Sequence, residues 1–199
     1  VLEGVDPRAE PRLLEDEPGF QRWHGNGAVG YLVLGRVVAR QLADPPARAR
    51  LVVCERTFPT GMLGHHVRRL AHAGLVGVLT ATSPRRLAHP EGGPKLTGTN
   101  PLAVGIPSPE GDPVVVDVSM GAVTWGDVVA GLATEEELVP FGGPQAHKAF
   151  ALAVGLQLLV DSLVREPGHG AVLLVAHPES DPVPELRGRA AGLRLPGDR

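Results

Sequence analysis

The sequence predicts a mixed α/β fold whose later strands are antiparallel neighbours, and not a doubly wound parallel sheet. Three observations carry this. A strand–helix–strand pattern runs from Arg50 to Ala81. A meander of short apolar runs and proline or glycine turns follows from Leu102 to Val118. Last comes the longest apolar run of the chain, entered through the glycine-bearing turn that starts at Val139. With 199 residues, 43% hydrophobic and 21% charged, the chain can bury one substantial core.

In order, Val1–Gly19 is acidic and punctuated by Pro7, Pro11 and Pro18. With no apolar period it is expected to be an extended arm lying over the surface. Residues 20–177 then form the α/β domain and 178–199 a tail. His24–Gly30 is a glycine-rich turn into a helix over Tyr31–Ala43, with Leu34, Val37, Val38 and Leu42 on one face. That turn suggests phosphate, but the strand before it is poor and the G-x-G-x-x-G order is not met. Asp44-Pro45-Pro46 stops the helix, Arg50–Glu55 is a buried strand, and Thr57–Gly61 is a tight turn. The helix over Met62–Ala73 buries Leu63, Val67, Leu70 and Ala71, closes at Gly74, and leads into the strand Leu75–Ala81. Strands at Leu102–Ile106 and Val114–Val118 flank the turn Pro107–Pro113. After the long helix comes a last strand over Gly168–Ala176, and the tail holds at most a short helix from Glu185.

Composition narrows the function. The single cysteine, Cys54, excludes an internal disulfide and a cysteine-based zinc site, and points to a reducing, cytoplasmic compartment. The apolar run after Phe150, broken by Gln157 and Asp161, is too short to cross a bilayer, so no membrane partner is expected. Nine arginines between Arg36 and Arg86 could meet phosphates. With no nucleic-acid motif and few aromatic side chains for stacking, a nucleic-acid partner is not expected. His65, His66 and His72 share one helix, but adjacent residues point about 100° apart. With no carboxylate on their face, they are expected to be solvated or capping residues, and no metal site is predicted.

Two features point to chemistry. Asp117 follows three valines at a strand end, where a poorly solvated carboxylate needs a partner, as catalytic orienting groups do; a hydrogen-bonded turn aspartate is the alternative. The turn Val139–Gly143 feeds a helix whose first turn carries His147 and Lys148 and which then becomes apolar. A buried helix with a polar first turn offers free N–H groups and positive potential to an anion; a core helix with a solvated N-terminus is the alternative.

Gly98-Thr99-Asn100-Pro101-Leu102-Ala103, Val115–Ser119 with Gly126 after it, Pro140-Phe141-Gly142-Gly143 with His147-Lys148, and Leu195–Asp198 occur in that order. The set resembles the type-2 malate/L-lactate dehydrogenase family, which includes ureidoglycolate dehydrogenases and Δ1-piperideine-2-carboxylate reductases. The resemblance runs from about Pro11 to Asp198. It implies an atypical, non-Rossmann nucleotide-binding fold with a largely antiparallel sheet, NADP or NAD as cofactor, a small 2-oxo or cyclic 2-imino acid as substrate, and a homodimer.

Carried over, Thr57, Thr60 and Gly61 fall on a cofactor loop, and Thr99 and Asn100 on the substrate loop. Asp117 falls on the aspartate behind the catalytic histidine, Ser119, Met120 and Gly121 on a cofactor turn, and His147 and Lys148 on the phosphate site. The sequence departs from the family in three places: Phe58 and Pro59 stand where a histidine is usual, Pro144–Ala146 is inserted, and the segment between Gly126 and Pro140 is short. The family's Ser-His-Gly segment, source of the acid/base histidine, has no counterpart between Val1 and Arg199. The expectation is therefore a divergent or truncated NAD(P)-dependent oxidoreductase, leaning to imino acids because an imine nitrogen arrives protonated. The rival is a catalytically impaired homologue acting as a cofactor-binding or regulatory protein.

Overall fold

The structure, a computed structural model, describes residues 5–198. Val1–Gly4 of the expected arm and Arg199 of the expected tail lie outside them. The elements run β1 (Arg12–Glu17), β2 (Phe20–His24), α1 (Gly30–Ala43), β3 (Ala49–Glu55), α2 (Leu63–His72) and β4 (Val76–Ala81). They continue β5 (Leu87–Ala88), β6 (Lys95–Thr97), β7 (Leu102–Ile106), β8 (Val114–Val118), α3 (Trp125–Val129), α4 (Ala146–Leu163), β9 (Ala171–Ala176) and α5 (Val183–Arg189).

Seven strands form one sheet in the order β1-β2-β3-β9-β4-β7-β8, with β5-β6 a separate pair. Among the described residues only β2 and β3 pair in parallel, across α1; the other pairings are antiparallel. β9, the last strand in sequence, lies in the middle, with Leu174 facing Leu51 of β3 on one side and Val78 of β4 on the other.

One face of the sheet is closed. Val33, Leu34, Val37 and Val38 of α1 and Leu63, Val67 and Leu70 of α2 pack with Val52, Cys54, Leu79, Ala103, Val115, Leu173 and Val175 into one buried cluster. Cys54 is fully buried and its thiol is pushed up to about 12, chiefly by burial, which leaves it inert. Beneath α1 a buried polar chain runs from Arg50 through Gln41 to Gln21. The other face is only partly covered. Leu51, Leu174, Val78, Val104 and Val116 form a row across five strands, none of them fully buried.

Four expectations change. The arm is not merely laid over the surface: Arg12–Glu17 pairs antiparallel with β2 as an edge strand, its charges tolerated because an edge faces water. The Gly-rich turn does sit between a strand and a helix, but Tyr31 N donates to Pro59 O at 2.8 Å, so the α1 N-terminus is closed by the 57–61 loop. α4 is not a buried helix: only Ala146, Ala149, Ala153 and Val160 are buried, while Leu152, Leu158 and Leu159 are exposed. The run after Phe150 ends with the helix at Leu163, as expected; the longer segment Gly143–Leu163, which adds the turn and the polar first turn, is long and apolar enough to span a bilayer by length and composition. In this fold its carbonyl and amide groups instead bind the sheet end, as described below. His66, expected to be solvated, is fully buried.

Candidate active site

β2, β3, β4 and β8 finish, and β7 and β9 begin, at one end of the sheet. The loops leaving that end carry nearly all the candidate residues: Thr57, Thr60 and Gly61 follow β3, Thr99 and Asn100 precede β7, and Ser119, Met120 and Gly121 follow β8. The loops are bonded to one another. Met120 N donates to Thr99 O at 2.8 Å, Phe141 N to Met120 O at 3.2 Å, and Ala122 N to Val139 O at 2.8 Å. Gly121 and Pro140 form a β-bridge, so the segment before α4 is delivered beside the Ser119–Gly121 turn.

Several of these side chains are tied into the loops themselves. Asn100 is fully buried; its amide nitrogen donates to Ala153 O and to Gln157 Oε1, both at 3.0 Å, and its Oδ1 accepts from Ser83 N. It clamps α4 to the β7 loop, and these bonds support its positive φ of 26°. Thr57 Oγ1 donates to Glu55 O at 3.0 Å. Met120 is buried with Leu87 and Ala153. Thr99 is buried with its methyl against Gly121.

Asp117 lies on the closed face, where its Oδ2 accepts the Gly64 N–H at 2.6 Å in the first turn of α2. A Cβ at position 64 would come within 3.0 Å of the Asp117 side chain, so the glycine is what allows the approach. Burial raises the Asp117 pKa, and the Gly64 N–H opposes this in part. Beyond Gly64, the ring of the exposed His65 sits 5.7 Å from Tyr31 and that of His66 5.1 Å from it.

His147 and Lys148 are exposed on the first turn of α4, and Lys148 has no carboxylate partner among the described residues. No side chain caps this helix, and Gly142 (φ 105°) and Gly143 (φ 53°) make the left-handed turn that leads in. The Gln145 and Ala146 N–H groups are taken by Gly142 O and Gly143 O in the 3-10 turn that leads into α4, so what this helix start offers the pyrophosphate of a dinucleotide is its positive end and the exposed lysine.

Beside this turn lies a cavity of about 710 Å³, lined by Gly142, Gly143, Ala146, Ala122, Phe141 and Arg86 among others. The turn Val139–Gly143 singled out in the sequence lines it, whereas Thr57, Thr60, Gly61, Thr99, Asn100, Asp117, Ser119, Met120, Gly121, His147 and Lys148 do not, although Ala122 and Ala146 are direct chain neighbours of Gly121 and His147. The sequence reading took Arg86 only as one of nine arginines that could meet phosphates, and missed Lys95 and the Trp125 ring under Arg86. The tandem Arg85-Arg86 in a proline- and glycine-rich stretch was the available signal.

The sequence profile of the family described as malate/L-lactate dehydrogenase matches residues 2–138. The chain is 31% identical over 192 residues to a Delta(1)-pyrroline-2-carboxylate reductase of Pseudomonas fluorescens, covering 82% of this chain and 56% of that protein. The chain spans about half the length of the curated relatives it matches. Its fold is shared with a dehydrogenase from Sinorhizobium meliloti (TM-score 0.80, 21% identity, 98% of this chain and 73% of that one). It is also shared with a delta1-piperideine-2-carboxylate reductase from Pseudomonas syringae (TM-score 0.78, 22% identity, 98% and 74%).

Proposed function

This chain belongs to the malate/L-lactate dehydrogenase family, and we propose that it binds NADP or NAD at this sheet end and exchanges hydride with a small 2-oxo or cyclic 2-imino acid. The observation that carries the reading is convergence: loops far apart in sequence are hydrogen-bonded together there, beside an uncapped helix N-terminus. The sheet, with its single parallel pair, serves as a nucleotide-binding frame of a non-Rossmann kind. The relatives named for pyrroline and piperideine carboxylates favour the imino acid. A buried lone cysteine suits a cytoplasmic setting.

When bound, the nicotinamide supplies or accepts the hydride. Lys148 and the positive N-terminal end of α4 would hold the phosphates. Asp117 keeps one carboxyl oxygen on Gly64 and leaves the other free to hold a proton or orient its donor. Titrating NADH and NADPH by fluorescence, then assaying a panel of 2-oxo and cyclic 2-imino acids, tests the reading. Binding without turnover would favour the regulatory alternative, and no binding of either cofactor would remove the site. Lys148→Ala should weaken cofactor binding about tenfold or more, the value of a charge-assisted contact. Its melting temperature should stay equal or rise, since a cation at a helix N-terminus is unfavourable without an anion.

Asp117→Asn separates chemistry from folding. A carboxyl whose native pKa is raised costs stability when ionised: the cost is absent below its ordinary value of 3.8, grows in as pH rises through the native value, and is constant above it. Asparagine can keep the Gly64 bond without that cost. The variant should therefore melt no lower than the wild type at pH 7 while turnover falls by about 10²-fold or more. A lower melting temperature with unchanged turnover would make Asp117 a structural residue.

A homodimer completes the proposal. The half-covered row through Leu174 and the exposed Leu152, Leu158 and Leu159 of α4 are apolar surface that a second copy of the chain would cover. Light scattering at micromolar concentration should give a dimer, and Leu158→Glu should shift it toward monomer.

A further inference from the structure

One side chain in the cavity wall is unexplained by the fold. The Arg86 guanidinium carbon lies 3.3 Å over the centre of the Trp125 ring. Among the described residues this guanidinium has no carboxylate partner and makes no side-chain hydrogen bond. The other charges in the wall are engaged. Lys95 Nζ is 4.0 Å from Glu135, the Thr134 hydroxyl and backbone donors hold Glu136 in its ionised form, and His89 packs edge-on against Phe150. Among the described residues Arg86 is thus the cation of the wall with no carboxylate bonded to it, held flat on an aromatic platform; the same wall carries the Glu136 carboxylate and the apolar Leu138, Pro140 and Phe141.

A guanidinium held by one face on an indole keeps its other face for stacking and its N–H fork for bidentate contact with a phosphate. The pyrophosphate is already served by the first turn of α4 and Lys148. Past the pyrophosphate, a nicotinamide dinucleotide has one more place for a phosphate, the 2′ position of its adenosine ribose. We propose that Arg86, laid flat by Trp125, binds that 2′-phosphate, so that the chain selects NADP over NAD. The proposal rests on the reading above that a dinucleotide binds at this sheet end. Arg86 is the specificity-determining residue and Trp125 its positioning residue.

The test measures dissociation constants of NADPH, NADH, 2′-AMP and 5′-AMP for the 199-residue chain, by fluorescence and calorimetry. The wild type should prefer NADPH. Arg86→Gln should weaken NADPH and 2′-AMP by about 10- to 100-fold and leave NADH and 5′-AMP unchanged. Trp125→Phe should retain the preference and Trp125→Ala should lose most of it, while thermal melts confirm that each variant is folded. If Arg86→Gln weakens NADH and NADPH equally, Arg86 meets the shared pyrophosphate and the proposal is overturned while cofactor binding stands. Unchanged affinity for all four ligands overturns it as well. A wild type that binds neither cofactor overturns the underlying reading with it.

Discussion

Arg22→Ala should cost about 3–5 kcal/mol of stability, the range for breaking a buried ion pair by removing one partner. Arg22 Nη1 donates to Glu55 Oε1 at 2.8 Å and to Leu163 O at 2.8 Å, and its Nε donates to Glu15 at 3.2 Å. Glu55 is 2% exposed and keeps only the Arg165 N–H, at 3.0 Å, once the arginine is gone. The variant therefore strands a carboxylate and frees the last turn of α4 together. At about 2–4 °C per kcal/mol for a chain of this size, the melting temperature should fall by about 6–20 °C. Arg22→Met with Glu55→Leu should recover most of the loss, because the desolvation cost leaves with the charges. A double variant as unstable as Arg22→Ala would show that the hydrogen bond to Leu163 is the larger contribution.

Acid should destabilise the protein through His66. The ring is fully buried, neither nitrogen finds a hydrogen-bond partner among the described residues, and Tyr31, His65 and Arg69 surround it. Burial first, then repulsion from His65 and Arg69, lowers its pKa from 6.5 to about 4. The native state thus refuses a proton that the unfolded chain accepts. Stability is complete above the unfolded value, is lost as pH falls from 6.5, and levels off near 4. Over that window the loss is about 3 kcal/mol at 1.36 kcal/mol per pKa unit. His66→Leu removes the titration, so the difference in unfolding free energy between wild type and variant should change across that window. A difference that stays constant from pH 7 to pH 4 would assign the acid sensitivity elsewhere.

The strands and helices whose burial has a local signature were legible in the sequence. β7 and β8 have the bounds that their apolar runs imply, and α1 and α2 follow their apolar faces within a residue or two. β1 was missed because its sequence, Arg-Leu-Leu-Glu-Asp-Glu, sets two adjacent leucines among four charges and carries no apolar period. The exposure of α4 could not be read because apolar residues occupy nearly its whole circumference, which removes any clue to the packed side. In the site, Asp117 was legible as a strand-end carboxylate in need of a partner, although the residue is exposed and not shut away from water. Its partner, the Gly64 N–H, is 53 residues away and belongs to tertiary structure alone. The same is true of Arg86 on Trp125, and of Asn100, whose amide binds α4.

The position of β9 sets the order in which the protein can be made. Until Ala171–Ala176 leaves the ribosome, the hairpin-and-crossover unit β1-β2-β3 and the meander β4-β7-β8 share no strand pairing, and each exposes an unpaired inner edge. The closing step joins β9 to Ala49–Cys54 and to Val76–Ala81 at once, a pairing of high sequence separation that is slow and prone to association with other nascent chains. A chain released before Ala171 should therefore be recovered as an aggregate or bound to chaperones, with neither half acting as a stable fragment.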